Sequence, residues 1–141
     1  MGIDCPVKSA WDVGILNWGD QMPISRPVKI TDVGIANNQF REQVLGGNLG
    51  HHKVMATIGI NALGTEAVQE LLHLVLNFSD SSFRESFEPY GDRDFIVLTY
   101  KGIKIWAKID TYDLNIEFMS ENPADDNLTV RVLTLMLPDE Y

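Results

Sequence analysis

Two helices packed on a mainly antiparallel β-sheet, in a single layer pair, is the α+β fold that this sequence predicts. Three observations carry the prediction. Apolar residues recur at helical spacing in two stretches before residue 80, whereas after residue 94 the period changes to the alternation of strands. Clusters of glycine, proline, asparagine and aspartate separate these stretches, as turn chemistry requires. A length of 141 residues with 45% hydrophobic content is the size of one domain with one core.

Residues 1–30 combine Gly2, Gly14, Gly19, Pro6, Pro23 and Pro27 with Trp11, Ile15, Leu16 and Trp18. That composition resists a long helix, so the segment is expected to be an N-terminal arm docked on the domain by its tryptophans. Residues 31–141 then form the single α+β domain. Its first helix, about 32–45, takes Thr31 or Asp32 as N-cap and stops at Gly46-Gly47. Val33, Ala36, Phe40 and Val44 form its apolar face, with Asn37, Asn38, Arg41 and Glu42 opposite. The apolar run Val54 to Ile60 predicts a short buried strand. A second helix, about 65–78, is capped by Thr65 and carries the stripe Val68, Leu71, Leu72, Val75 and Leu76. A loop from Ser79 to Gly91 is expected to be pinned by Phe83, Phe87 and Tyr90. The remainder reads as a meander: Phe95 to Tyr100, Ile103 to Ile109, Leu114 to Met119 with alternating Leu114, Ile116 and Phe118, and Thr129 to Leu137.

Cys5 is the only cysteine, which excludes an internal disulfide and a cysteine-rich zinc site and fits a reducing compartment. The first twenty residues hold Asp4, Asp12 and Asp20 without a basic region or an unbroken apolar stretch, so no secretory signal is expected and the localisation reads as cytoplasmic. No segment approaches the eighteen or so apolar residues that span a bilayer. The net charge is −9. Residues 79–141 hold thirteen of the twenty acids but six of the eleven bases, so the second half is the acidic half. Repulsion then disfavours direct binding of nucleic acid or an anionic membrane.

No G-x-S-x-G, P-loop or G-x-G-x-x-G occurs, and no residue is assigned a catalytic role, a metal or a cofactor. Asp92, Asp94, Asp110 and Asp113 stand at the ends of adjacent predicted strands, where carboxylates could converge on a divalent cation, although aspartate is also an ordinary turn residue. Lys108 and Asp110 leave one face of a strand and are expected to form a structural pair, whose loss costs a few kcal/mol if it is buried. His51 and His52 are adjacent, and their side chains should diverge in an extended segment rather than chelate one ion. His73 falls on the polar side of the second helix.

The run Lys108-Ile109-Asp110-Thr111-Tyr112-Asp113, then Ser120, Pro123 and Asp125, then Thr129-Val130-Arg131-Val132-Leu133-Thr134 and Glu140-Tyr141, resembles a bacterial domain-of-unknown-function family found on proteobacterial plasmids and phages. Its members carry K-I-D-Y-Y-D and end in R-V-L-T-I-M-L-A-x-E-Y. Asn37 with Phe40-Arg41, Thr57, Gly59, Pro89, Gly91 and Asp94-Phe95 are similar to its remaining signposts, so the resemblance covers about residues 32–141. Arg93, Ile96 and Asn38 depart from the histidine, glycine and aspartate usual at those places. The resemblance implies no activity or cofactor. Its mobile-element setting implies roles against host defences or in plasmid maintenance.

The expectation is therefore a non-enzymatic binding protein, an anti-CRISPR-like inhibitor that occupies a basic surface on a host defence or nucleic-acid-processing protein. Glu117, Glu121, Asp125 and Asp126 are its expected acidic surface. Two alternatives stand beside it. One is a sponge for a signalling nucleotide, built on a pocket lined by Arg41, Arg93 and Arg131; the other is a metal-dependent hydrolase using Asp92, Asp94, Asp110 and Asp113. A homodimer is the expected oligomer, because a sheet with one uncovered apolar face tends to find a partner.

Overall fold

A computed structural model describes residues 29–83 and 89–141. The arm expected over residues 1–30 lies, apart from its last two residues, outside the described residues, as does Phe87. The rest is α+β as expected: helices α1 (Asp32–Leu45), α2 (Ile58–Asn61) and α3 (Thr65–Leu76), with strands β1 (Lys53–Ala56), β2 (Phe95–Tyr100), β3 (Ile103–Tyr112) and β4 (Val130–Met136).

The strands form one sheet in the order β1-β4-β3-β2. The two hairpin-like pairings, β2 with β3 and β3 with β4, are antiparallel, and β1 adds to β4 in parallel, with Lys53 opposite Val132 and Ala56 opposite Leu135. Alternation then sorts the side chains. Ile96, Ile105, Ala107, Ile109, Leu133 and Leu135 turn to the helical side and pack with Phe40, Ile60, Leu71 and Val75 in the core. Lys53, Met55, Phe95, Trp106, Lys108, Asp110, Val132 and Thr134 occupy the other face by register.

Thr31 caps α1, its hydroxyl accepting from the Gly34 amide at 3.0 Å, as the sequence suggested. The buried side of the helix differs from expectation. Asn37 and Arg41 are buried together with Ala36 and Phe40, so part of the stripe assigned to solvent is interior. The reason is chemical, since both side chains find fixed partners inside: Asn37 bonds the Asp92 carbonyl and Arg131, and Arg41 bonds the Val75 and Phe78 carbonyls. The expected strand over 54–60 is also corrected: the chain leaves β1 at Ala56 and turns into α2, where Gly59 sits against the C-terminal segment. A side-chain methyl on Gly59 would come within 2.7 Å of Glu140 Oε2 and Leu137 Cδ1.

The third correction concerns residues 114–119, which form no strand. Only an isolated bridge between Tyr112 and Met119 continues the ladder. Asp113 folds the chain back instead, its amide donating to Phe118 O at 2.8 Å and its side chain accepting from the Glu117 amide at 3.0 Å. Ile116 takes a φ of 58°, in the left-handed region and outside the strand conformation. Finally, Phe83 is buried as expected of a loop anchor, but Tyr90 is 80% exposed and pins nothing.

Candidate functional site

A polar layer lies between α1 and the end of β4, and Arg131 is its centre. The arginine is fully buried. Its Nε donates to Asp126 Oδ1 at 3.0 Å, Nη1 donates to Asn37 Oδ1 at 2.8 Å, and Nη2 donates to Pro123 O at 2.6 Å while lying 3.0 Å from Asp126 Oδ1 in the ion pair. Asn37 passes the network on, donating from Nδ2 to the carbonyl of Asp92 at 2.8 Å. The Asp92 carboxylate accepts from Thr31 Oγ1 at 2.6 Å, so the cap of α1 and the approach to β2 are tied together. A buried cation with every face engaged is a structural group and a costly one to disturb.

His52 completes this layer. It is buried, its ring meets Phe40 edge-on at 5.1 Å, and its Nδ1 accepts from the Arg131 amide at 2.9 Å. Burial, with His51 and Arg131 nearby, holds its pKa below the ordinary 6.5 against the pull of Asp126. The two histidine rings do not diverge: their centroids lie 4.2 Å apart, and His51 Nε2 lies 2.7 Å from Thr129 O. His73 is exposed in the last turn of α3.

A second polar cluster closes the far end of α3. Arg41 donates from Nη1 to Val75 O at 2.9 Å and Phe78 O at 2.7 Å, which places a cation at the C-terminal end of α3. Burial lowers its pKa to about 10. Asp80 accepts from Arg93 Nε at 2.6 Å and from Asn38 Nδ2 at 2.9 Å, and the Arg93 bond first, then Asn38, keeps its carboxyl below the usual range.

The connection from β3 to β4 projects as an acidic lobe, residues 113–129. It holds five acids, Asp113, Glu117, Glu121, Asp125 and Asp126, and no lysine, arginine or histidine. The base of the lobe is bolted down: the Ser120 and Thr129 hydroxyls meet at 2.7 Å, Thr129 Oγ1 donates to Asn122 O at 2.9 Å, and Arg131 holds Pro123 and Asp126 from beneath. Of the four acids expected at the surface, Glu117 and Glu121 are exposed on the outer side. Asp125 and Asp126 are engaged at the base, Asp125 accepting from the Asn127 amide at 2.9 Å and Asp126 from Arg131. Sequence reading missed the apolar part of the lobe: Leu114, Ile116, Phe118, Met119 and Leu128 are all exposed. A depression of about 370 Å³ lies among Leu114, Phe118, Met119 and Leu128, with Asp113 and Glu121 at its edge. Alternation of apolar and polar residues mimicked a strand here, and no signal in the sequence marked these side chains as exposed.

The carboxylates expected to converge are dispersed. Asp92 serves Thr31, Asp113 folds the lobe, the Asp94 carbonyl accepts from the Ile109 amide at 2.9 Å, and Asp110 pairs with Lys108 at 3.3 Å on the face turned away from α1 and α3. Among the described residues no three of His, Cys, Asp and Glu are grouped to hold a metal ion. Lys108 also lies 4.7 Å from the centre of the Tyr141 ring. Arg41 and Arg131 do not line a shared pocket for an anion, because both are committed to acceptors in separate clusters. Of the positions shared with the resembled family, Asn37 and Arg131 meet directly, Arg41 caps α3, and Tyr112 sits at the mouth of the lobe, where it bridges to Met119. Among the described residues no helix is long and apolar enough to cross a membrane.

A family model described as a protein of unknown function (DUF3768) matches residues 56–140. The match takes in α2, α3, β2 to β4 and the lobe but leaves out α1, which supplies Phe40 to the core and Asn37 to Arg131. No curated protein and no solved structure matches.

Proposed function

The chain belongs to the DUF3768 family of proteins of unknown function, and we propose that it is a binding protein whose acidic lobe occupies a basic surface on another protein. The observation that carries this reading is the lobe's charge: five acids and no base over residues 113–129, on a projection whose base is fixed by Arg131. A rigid projection of one sign attracts a partner of the other and repels polyanions. The plasmid and phage setting implied by the sequence resemblance makes the target a host defence or nucleic-acid-processing protein, with inhibition by occupancy as the outcome, in the manner of an anti-CRISPR.

The dispersed carboxylates support a binder over a metal-dependent hydrolase, and the engaged arginines support it over a nucleotide sponge. The test is a pull-down from a bacterial lysate with mass spectrometry, run in parallel with a Glu117→Gln/Glu121→Gln variant and at rising salt. A protein captured by the unaltered chain should be lost from the variant and released by salt. Capture that is indifferent to both would refute the reading, and a captured nucleotide would replace it.

A further inference from the structure

A lobe that worked by charge alone would need no apolar surface, yet Phe118 is 72% exposed, Met119 77%, Leu114 56% and Leu128 48%. Single exposed hydrophobics are ordinary, but these four surround one depression. They are also held there. The Ile116 amide donates to Asp113 O at 3.0 Å, the Asp113 amide to Phe118 O at 2.8 Å, and the Ser120 amide to Thr111 O at 3.1 Å, so the loop cannot easily swing its apolar side chains inward.

An apolar floor edged by charge is the anatomy of a protein interface, in which the floor holds and the rim steers. The rim here is anionic, with Asp113 and Glu121 at the depression and Glu117 on the same loop. At about 370 Å³ the depression is at the low end for ligand sites and suits a side chain better than a cofactor. Building on the reading of the lobe as an acidic binding surface, we infer that its partner is a lysine- or arginine-rich protein segment that seats one or two large apolar side chains between Leu114, Phe118, Met119 and Leu128. Anionic lipid and nucleic acid do not fit that rim.

The division of labour makes the inference testable. Two fluorescent peptides serve as probes, an octalysine and a lysine peptide of equal charge carrying two tryptophans. They are titrated by anisotropy against the unaltered chain, a Phe118→Ser/Met119→Ser variant and a Glu117→Gln/Glu121→Gln variant. Both pairs are exposed, and unchanged thermal melts confirm that each variant is folded. The tryptophan peptide should bind roughly tenfold more tightly than octalysine, the serine variant should erase that preference while leaving octalysine binding intact, and the glutamine variant should weaken both peptides. Equal binding of the two peptides, or a preference that survives in the serine variant, overturns the apolar anchor and leaves the acidic surface standing. If neither peptide binds at low salt, the acidic surface itself is refuted. Sedimentation supplies the remaining outcome: a chain that self-associates through Phe118 and ignores both peptides has a second copy of itself as occupant, and the inference is wrong.

Discussion

The backbone amide of Arg131 donates to Nδ1 of His52, 79 residues earlier in the chain, at 2.9 Å. That bond requires an unprotonated Nδ1, and burial, His51 and Arg131 lower the pKa of the ring from 6.5. The unfolded chain therefore takes up this proton at a higher pH than the folded one. The stabilisation is complete above the unfolded value and is lost as the pH falls from there through the folded pKa. Melting temperature should drop as the pH falls below the ordinary histidine value of 6.5, before Asp80 and Glu140, whose pKa values are lowered from the usual carboxylate values, titrate. His52→Asn, whose side-chain oxygen can take the same amide, should flatten that part of the profile; an unchanged slope would count against the assignment.

Among the described residues, Asp126 is the carboxylate bonded to the fully buried Arg131 guanidinium. Asp126→Ala should cost roughly 2 kcal/mol in chemical denaturation, because it leaves Nε of a buried guanidinium without its acceptor while Asn37 and Pro123 O still hold the rest. Asp126→Asn keeps an acceptor and should cost less. A loss within experimental error for the alanine variant would mean that water replaces the carboxylate.

Gly59 and Glu140 are a coupled pair. Glu140 accepts from the Gly59 amide at 2.8 Å, the Leu137 amide at 2.9 Å and the Thr57 hydroxyl, and these bonds hold its pKa below the usual carboxylate value. A methyl at Gly59 must push that carboxylate away. Gly59→Ala and Glu140→Ala should lower the melting temperature by similar amounts, and the double variant by much less than their sum. Additive effects would show that the clash is relieved elsewhere.

Lys108 and Asp110 form the pair foreseen from their spacing, but on a face where their side chains are 27% and 34% exposed. The few kcal/mol appropriate to a buried pair do not apply. Asp110→Ala should change stability by about 1 kcal/mol or less, with the effect shrinking as salt rises.

Ile116 is a β-branched residue at a φ of 58°, and it is 40% exposed. Glycine accepts that conformation without strain. Ile116→Gly should therefore stabilise the chain by up to ~1 kcal/mol, the modest lost burial being outweighed. A clear destabilisation would show that the Ile116 side chain packs more tightly than its exposure suggests.

Helix α3 and strands β2 to β4 were legible in the sequence because apolar periodicity reports burial directly. Periodicity failed where the interior is polar. Asn37 and Arg41 look like a solvated stripe until Arg131, Val75 and Phe78 supply partners that lie 94, 34 and 37 residues away. It also failed in the lobe, where Leu114, Ile116 and Phe118 alternate as strand residues do while Asp113 turns the backbone out of the sheet. The acids of the lobe were visible as charge; the exposure of Phe118 and Met119 was visible only in three dimensions.

The order β1-β4-β3-β2 puts the last strand to be synthesised between β1 and β3. β1 has β4 as its ladder partner, and Lys53 must wait for Val132 before its pairing can form. On the ribosome, Val54, Phe40 and the apolar stripe of α3 emerge long before Leu133 and Leu135, the residues that roof them. The β2–β3 hairpin can form early from local contacts, but the helical layer has no complete floor until residue 136 has left the exit tunnel. Nascent chains stalled before Val130 should therefore expose this core and recruit hydrophobic-binding chaperones, and emergence of β4 from the tunnel should release them in one step.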